Sequence, residues 1–257
     1  MCELFAICAK QKTPANEYLR KFFARGDEHP NGWGFATFDG DDVHLEKEPE
    51  NSANSRYLSN RLRAPITESV LLAHIRYATV GSLEYENCHP FTRRDASGRA
   101  WTLIHNGTIF NGAKLGRYVY VQEGGTDSER VLCHIVETIN AFATREGRYP
   151  SHLERFELAE RVVSELSDGN KLNLIFFDGE YLYVHMNMLD SLHYKEIPGG
   201  LVFATVPLDG LVWKTAPSTT LCVYREGELV YQGTSHHKVF VDNPEDRKFL
   251  FLDYSGL

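Results

Sequence analysis

The sequence predicts an α+β fold in which strand-forming segments lie on both sides of a helical middle. Three observations support this class. Apolar strand-like runs alternate with two short amphipathic helices up to residue 105, helical periodicity dominates residues 126–167, and short strands with tight turns fill residues 171–232. Two sheets with helices on their outer faces accommodate this order, and one large sheet is the alternative that the pattern leaves open.

The first half of the chain predicts five strands and two helices. Helical spacing of apolar side chains over 15–25 ends at Gly26, which favours a helix that covers a sheet. Residues 70–76 are too continuously apolar for an edge strand, so we expect this strand in the centre of a sheet. The predicted strands are 2–9, 33–38, 43–47, 70–76 and 101–105, and the predicted helices are 15–25 and 53–63.

The second half predicts two longer helices followed by strands. Thr126 is the expected N-cap of the first helix, because its hydroxyl can accept a hydrogen bond from the backbone of the first turn. The second helix spans about 152–167 and ends before a turn at Asp168. The remaining predicted strands are 172–177, 181–186, 201–206, 220–225 and 228–232.

Composition limits the functional classes. The chain of 257 residues has a formal net charge of −8, which disfavours a nucleic acid partner because phosphate binding needs clustered Lys and Arg. No apolar run is long enough to span a bilayer, and the first ten residues lack the features of a signal peptide, so we expect a cytoplasmic protein without a membrane partner. No linker or repeat interrupts the chain, which predicts a single domain over 1–257.

The cysteine at position 2 can act as a nucleophile. Removal of Met1 would leave a free α-amine on Cys2, and this amine titrates near ~8, so it can accept the thiol proton at physiological pH. That arrangement is typical of N-terminal-nucleophile hydrolases. The alternative is a cysteine that only opens a buried strand. The other four cysteines are expected to be reduced packing residues: Cys8, Cys88, Cys133 and Cys222.

Three further segments carry polar groups that have two interpretations each. Arg76 ends a buried strand, where its guanidinium suits a bidentate contact with a carboxylate or is a paired surface charge. Asn106 and Gly107 follow a strand, where they form a hairpin turn or an oxyanion hole whose amides face a tetrahedral intermediate. Asp127 stands at a helix start, where it caps the helix or binds an ammonium group.

Together and in this order, the segments resemble the class II glutamine amidotransferase domain, the glutaminase member of the N-terminal-nucleophile hydrolases. The initial Cys-Glu-Leu and the His-Pro-Phe-Thr segment are most similar to its stand-alone subgroup, which includes the YafJ-like proteins and γ-glutamyl hydrolases. One departure is Val80, where synthase-linked members usually carry His. The matching segments are Met1-Cys2, 31–36 (NGWGFA), 74–79 (HIRYAT), 87–91 (NCHPF), 105–107 (HNG) and 126–129 (TDSE).

The resemblance implies a four-layer αββα sandwich of two mainly antiparallel sheets covered by helices. It also implies that Cys2 is the nucleophile and that Asn106 with Gly107 forms the oxyanion hole. The implied substrate-binding residues are Arg76 for the α-carboxylate, Asp127 for the α-amino group, and Tyr77 and Thr79 beside them.

The predicted reaction is hydrolysis of a γ-glutamyl amide, either glutamine or a γ-glutamyl peptide or amine, through a γ-glutamyl thioester and without metal or cofactor. One alternative is a glutaminase subunit that delivers ammonia to a separate synthase, and a synthase or a second copy of the chain is the expected protein partner. Another is a non-catalytic glutamine-sensing or scaffold module that retains Met1. A metal site at Cys88-His89 or His236-His237 is weaker still, because adjacent side chains alone do not form a ligand set.

Overall fold

The computed structural model describes residues 2–78 and 81–243. The strands are β1 (Glu3–Pro14), β2 (Trp33–Asp39), β3 (Asp42–Glu48), β4 (Thr67–Ile75), β5 (Phe91–Arg94), β6 (Ala100–Thr108), β7 (Lys171–Phe177), β8 (Leu182–His185), β9 (His193–Ile197), β10 (Gly200–Ala204), β11 (Lys214–Thr215), β12 (Cys222–Arg225) and β13 (Glu228–Gln232). The α-helices are α1 (Asn16–Phe23), α2 (Arg56–Arg61), α3 (Asp127–Glu146) and α4 (His152–Leu166). Among the described helices, none has both the length and the apolar character of a bilayer span.

The strands form two antiparallel sheets. The first has the order β11-β9-β10-β1-β4-β2-β3, and the second has the order β13-β12-β8-β7-β6-β5. Strand β4 lies between β1 and β2, which confirms the central position predicted from its apolar run. Glu3 pairs with Ile75, so the start of β1 lies next to the end of β4.

Side-chain alternation along the strands builds four layers. Leu4 and Ala6 of β1 point between the sheets, where they share a core with Ile104 of β6 and Ile175 of β7. The intervening Phe5 belongs to the opposite face of the first sheet, which packs against α1 and α2. Helices α3 and α4 cover the outer face of the second sheet. The predicted αββα sandwich is therefore confirmed.

The main local difference from prediction concerns Asn106 and Gly107. Both lie inside β6, where they pair with Asn173 and Leu172 of β7, so the hairpin-turn interpretation was wrong. Strand 101–105 continues to Thr108 because β7 supplies a partner from more than 60 residues further along the chain. Such a distant partner leaves no trace in the local sequence around an Asn-Gly pair.

Three short strands were not predicted. Strands β5, β9 and β11 contain four, five and two residues, which is too short for a clear alternation of apolar and polar side chains. The first predicted helix was also too long, since α1 ends at Phe23 and the chain continues as a 3-10 helix over Ala24–Glu28. The predicted cap of α3 is confirmed, because the Thr126 hydroxyl accepts a hydrogen bond from the Glu129 amide at 3.2 Å.

The segment after β13 is joined to the second sheet by two histidines. His185 donates its Nδ1 proton to the Leu172 carbonyl at 2.6 Å, so its Nε2 carries a lone pair. His236 accepts the Lys238 amide proton at Nδ1, so its Nε2 donates to His185 Nε2 at 2.9 Å. Both rings are neutral in this arrangement. Burial lowers the pKa of His185 to about 3 and that of His236 to about 4.

We expect the protein to lose stability as the pH falls from about 6.5 to about 4. In this window the unfolded chain takes up protons at both histidines, whereas the folded chain does not until the pH reaches their lowered pKa values. Chemical denaturation at pH 7.5 and pH 5 measures the difference. The His236→Gln variant should lose less stability on acidification than the wild type, while a His44→Gln control on the exposed β3 should keep the full dependence. Equal pH dependence in all three proteins would contradict this explanation.

Candidate active site

The candidate site lies between the two sheets at one end of the sandwich. Cys2 precedes β1 and shares the inner-face alternation of Leu4, while Arg76 follows β4 at the neighbouring position. On the second sheet, Asn106 has the inner-face alternation of Ile104 near the end of β6. The two sheets meet here, since His74 Nε2 of β4 donates to the His105 carbonyl of β6 at 3.1 Å.

The Cys2 thiol is held by the backbone of Tyr77. The Tyr77 amide donates to Cys2 Sγ at 3.3 Å, and the thiol lies 3.4 Å from the Tyr77 carbonyl, to which it can donate. The start of β1 is secured from its other side, because the Leu4 amide donates to the Thr205 hydroxyl at 3.3 Å and the Thr205 amide donates to the Leu4 carbonyl at 3.1 Å. The predicted nucleophile therefore sits on a backbone that is fixed on both edges.

Burial raises the pKa of the Cys2 thiol above its ordinary value. The hydrogen bond from the Tyr77 backbone and the positive charges of Arg76 and Lys171 act in the opposite direction without cancelling the effect of burial. The thiol is therefore protonated at neutral pH and needs a base to become a nucleophile. The α-amine of a processed Cys2 is the base that the sequence predicts, and Met1 lies outside the described residues.

The buried Glu3 carboxylate adds a second anchor beside the nucleophile. Arg25 Nε donates to both Glu3 oxygens at 2.8 Å, and His29 Nε2 lies 3.1 Å from Oε1. Ligand atoms of Glu3, Glu28 and His29 lie within 4.8 Å of one another, as a metal site requires. A cation would, however, compete with the Arg25 guanidinium for both Glu3 oxygens, so the cluster is better explained as an ion pair that fixes β1.

Arg76 is buried, with 2% of its surface exposed. Its two terminal nitrogens donate to the Ser82 carbonyl at 2.8 Å and to the Gly81 carbonyl at 3.0 Å. The guanidinium thus faces the loop after β4, and the alternative of a surface charge was wrong. Tyr77 is partly exposed beside it. The predicted site residue Thr79 and Val80, which differs from the His of synthase-linked family members, lie outside the described residues.

Asn87 links this loop to the start of α3, a role that sequence reasoning missed. Its side-chain nitrogen donates to the Ser82 carbonyl at 3.2 Å and to the Ser82 hydroxyl at 3.0 Å. Its oxygen accepts the Gly125 amide at 2.7 Å. The loop that contacts Arg76 and the segment that leads to Asp127 are therefore connected through one buried amide.

Asp127 is the first residue of α3, where the positive end of the helix dipole favours its charge. Its Oδ2 accepts the Ile109 amide at 2.8 Å, and its Oδ1 accepts the Ser128 amide at 2.9 Å. Ile109 lies two residues after Gly107, so these bonds place the carboxylate beside the end of β6. Within the described chain Oδ2 accepts a single hydrogen bond, so this oxygen retains a lone pair for an ammonium donor.

The pairing of β6 determines the direction of the Gly107 amide. The His105 carbonyl points away from β7, because it accepts from His74 of the other sheet. Backbone groups two residues apart on a strand face the same edge, so the Gly107 amide also points away from β7. Among the described pairings, β5 reaches only Leu103 along this edge. The Gly107 amide is therefore directed away from β7, on the edge where the His105 carbonyl meets His74 of the first sheet.

The histidines around the site are neutral packing and positioning groups. Burial lowers the pKa of His74 to about 3, and burial also lowers the pKa of His105, against the opposing charge of Asp127. His105 donates from Nε2 to the Lys171 carbonyl at 3.1 Å, so its Nδ1 accepts the Ser128 hydroxyl proton at 2.9 Å. This ring joins β6, β7 and α3 behind the candidate oxyanion hole.

The two predicted metal alternatives do not assemble among the described residues. His89 stacks on His74 with ring centroids 4.0 Å apart, while the Cys88 thiol donates to the Glu84 carbonyl at 3.4 Å. His236 bonds to His185, and the neighbouring His237 Nδ1 lies 3.2 Å from the Ser235 hydroxyl. In each pair the two side chains contact different neighbours. Among the described residues, Cys8, Cys88, Cys133 and Cys222 are buried and form no disulfide.

Lys171 is a site residue that sequence reasoning missed. It is 3% exposed at the start of β7, and its ammonium donates to Asn106 Oδ1 at 3.2 Å. One signal was present in the sequence, because Lys171 is the only charged residue of an otherwise apolar and amide-bearing strand. A lysine on the inner end of a fully buried strand requires polar partners, and the amide of the candidate oxyanion hole is one of them.

Comparison with known proteins identifies the family of the chain. A family model described as class II glutamine amidotransferases matches residues 1–198. An uncharacterized protein of Methanocaldococcus jannaschii is 30% identical, with 90% of this chain and 71% of that protein aligned. YafJ of Escherichia coli is also 30% identical, over 76% of this chain and 75% of its own. A predicted glutamine amidotransferase from Pseudomonas aeruginosa has the same fold, with a TM-score of 0.63 at 20% identity over 90% of this chain and 100% of that one. The chain therefore belongs to the class II glutamine amidotransferases, a family of enzymes.

Proposed function

We propose that the protein hydrolyses a γ-glutamyl amide with Cys2 as its nucleophile and that residues 1–257 act in the cytoplasm as one catalytic domain. Free glutamine is the simplest substrate, and a γ-glutamyl peptide or amine would present the same reacting group. The observation that carries the proposal is the position of the Cys2 thiol, which stands before the start of β1, next to the end of β4, and accepts a hydrogen bond from the Tyr77 amide.

The first chemical step forms a thioester. The Cys2 α-amine, exposed by removal of Met1, takes the thiol proton directly or through a water, and the sulfur attacks the γ-carbonyl carbon of the substrate. The resulting oxyanion accepts hydrogen bonds from the Asn106 side-chain nitrogen and the Gly107 amide. The protonated amine then gives its proton to the departing ammonia or amine. Attack of water on the γ-glutamyl thioester releases glutamate and restores the thiol.

The remaining site residues would hold the glutamyl group. Asp127 has a lone pair for the α-ammonium group and lies beside the end of β6. The Arg76 guanidinium would bind the α-carboxylate next to the carbonyls of the 81–82 loop, with Tyr77 as its chain neighbour. The resemblance adds Thr79 to this group of residues. Two opposite charges on the protein thus match the two charges of an amino acid end, which favours substrates with an unmodified glutamyl group.

Covalent labelling tests the proposal directly. Tag-free protein is incubated with a diazo-ketone analogue of glutamine, its intact mass is measured before and after, and the modified residue is located by peptide mapping. We expect loss of Met1 and a single adduct on Cys2, because the analogue carries the glutamyl group and its reactive carbon takes the place of the γ-amide. The four buried cysteines serve as internal controls and should remain unmodified. A processed chain that takes up no label would refute the hydrolase proposal.

A further inference from the structure

Lys171 lies on the inner face of the second sheet beside Asn106. In the β6–β7 pairing, Lys171 stands opposite Thr108 and Asn173 stands opposite Asn106. Residues two apart on a strand share a face, so the Lys171 and Asn106 side chains emerge on the same side at diagonal positions. Their contact joins the Lys171 ammonium to Asn106 Oδ1 over 3.2 Å. The pairing register of two strands therefore creates this contact.

The chemistry of an ammonium group determines how the Asn106 amide is oriented. An ammonium has three donors and no acceptor, so the amide atom that faces Lys171 must be the oxygen. The amide nitrogen consequently points to the opposite side. No described residue accepts a hydrogen bond from this nitrogen, in contrast to Asn173, whose side-chain nitrogen donates to the Ser191 hydroxyl at 2.7 Å. The Asn106 N–H bonds thus remain available to a bound substrate.

The opposite orientation would oppose catalysis. A rotated amide would present its oxygen lone pairs to the negative charge that develops on the substrate oxygen, which replaces an attraction by a repulsion. In a site without a strong donor next to Asn106, the two orientations differ only in weak contacts. A buried ammonium raises the cost of the wrong orientation, because Lys171 would then face two N–H bonds and lose this hydrogen-bond acceptor.

We propose that Lys171 is a positioning residue that holds the Asn106 amide with its N–H bonds toward the developing oxyanion. This inference rests on the proposed function of Asn106. Lys171 does not contact the substrate in this role and acts through the amide. None of the motif segments of the sequence contains this lysine, since it lies 65 residues after Asn106.

The decisive comparison is between Lys171→Gln and Lys171→Met. Both side chains approximate the length of lysine without its charge, but only glutamine can donate to Asn106 Oδ1. We expect Lys171→Met to lower kcat for glutamine by roughly 10- to 100-fold with KM changed less than about threefold, because the loss affects a group that acts in the transition state. Lys171→Gln should recover at least about fivefold in kcat over Lys171→Met. Equal kcat values for the two variants would overturn the positioning role.

A double-mutant cycle with Asn106→Ala tests whether Lys171 acts through this amide. Asn106→Ala alone should lower kcat by roughly 10²- to 10³-fold. In that background Lys171→Met should change kcat by less than about threefold, because there is no amide left to orient. An undiminished effect of Lys171→Met in the Asn106→Ala background would show that Lys171 acts independently and would overturn the inference.

Two controls separate this inference from a folding defect and from the proposed function. Lys195 of β9 is another buried lysine, and its ammonium lies 2.5 Å from an Asp209 carboxylate oxygen. Lys195→Met therefore measures the general cost of removing a buried ammonium, and it should leave kcat within about twofold of the wild-type value. If Lys171→Met does not fold, kcat is measured instead for Lys171→Gln alone and in combination with Asn106→Ala, and these two values test the inference. A slow Asn106→Ala enzyme with an unaffected Lys171→Met enzyme refutes the inference alone. Absence of labelling at Cys2 refutes the proposed function itself.

Discussion

Replacing Cys2 by alanine is expected to lower kcat for glutamine hydrolysis by at least about 10³-fold while leaving the fold intact. The substitution removes the sulfur that forms the thioester, and the oxyanion-hole donors cannot replace a nucleophile. Alanine fits the start of β1 without strain because it is smaller than cysteine, and among the described residues only the hydrogen bonds between the thiol and the Tyr77 backbone are lost. Glutamate release measured under saturating glutamine gives kcat, and thermal unfolding verifies the fold.

The Cys2→Ala variant should still bind glutamine, because the groups proposed to hold the two charged ends of the substrate are unchanged. Isothermal titration or ligand-induced stabilisation measures this binding. Cys133→Ala in α3 is the matched control, since Cys133 is buried in the helical layer and should leave kcat within about threefold. Turnover by Cys2→Ala at the wild-type rate would exclude Cys2 as the nucleophile.

Replacing Gly107 by alanine is expected to destabilise the protein by about 3 kcal/mol or more and to eliminate activity in the fraction that still folds. A Cβ atom at this position would lie 1.9 Å from the Lys171 carbonyl oxygen and 2.2 Å from His105 Nε2. The carbonyl belongs to the backbone of β7 and cannot rotate away. Strand β7 must therefore move, and with it the Lys171 side chain that contacts Asn106.

A melting experiment with a matched glycine tests this prediction. For a chain of this size, a loss of about 3 kcal/mol lowers the melting temperature by roughly 6–12 °C. Gly116 lies in a 3-10 helix, and a Cβ atom added there would meet no described atom within 4 Å beyond its own chain neighbours, so Gly116→Ala should keep the wild-type melting temperature. An unchanged melting temperature for Gly107→Ala would mean that the β6–β7 contact at this residue is looser than the distances indicate.

Periodicity and capping predicted most of the elements because both are local. Apolar spacing located α4 and the central β4, and the Thr126 hydroxyl marked the start of α3. In each case the signal lies within one element or its first turn, so the physical cause is visible in the sequence. Short strands such as β5 and β9 were not predicted, because their conformation depends on pairing with a neighbouring strand rather than on an alternation of apolar and polar side chains.

The candidate site shows the same distinction between local signals and long-range contacts. The sequence alone determined the chemically distinctive groups: a cysteine that can carry its own base, an arginine at the end of a buried strand, an Asn-Gly pair and an acid at a helix start. Each is recognisable from residue type and immediate context. Their order along the chain resembles that of the class II glutamine amidotransferases, and this resemblance indicated an amidotransferase-type site.

Only the tertiary structure decided how these groups face one another. The register between β6 and β7 made Asn106 and Gly107 strand residues at the gap between the sheets rather than a hairpin turn, and it placed Lys171 beside the Asn106 amide. Asn87 and Thr205 likewise act through partners 38 and 201 residues away. Register and long-range hydrogen bonds depend on the packing of the whole sandwich, so no local pattern could have specified them.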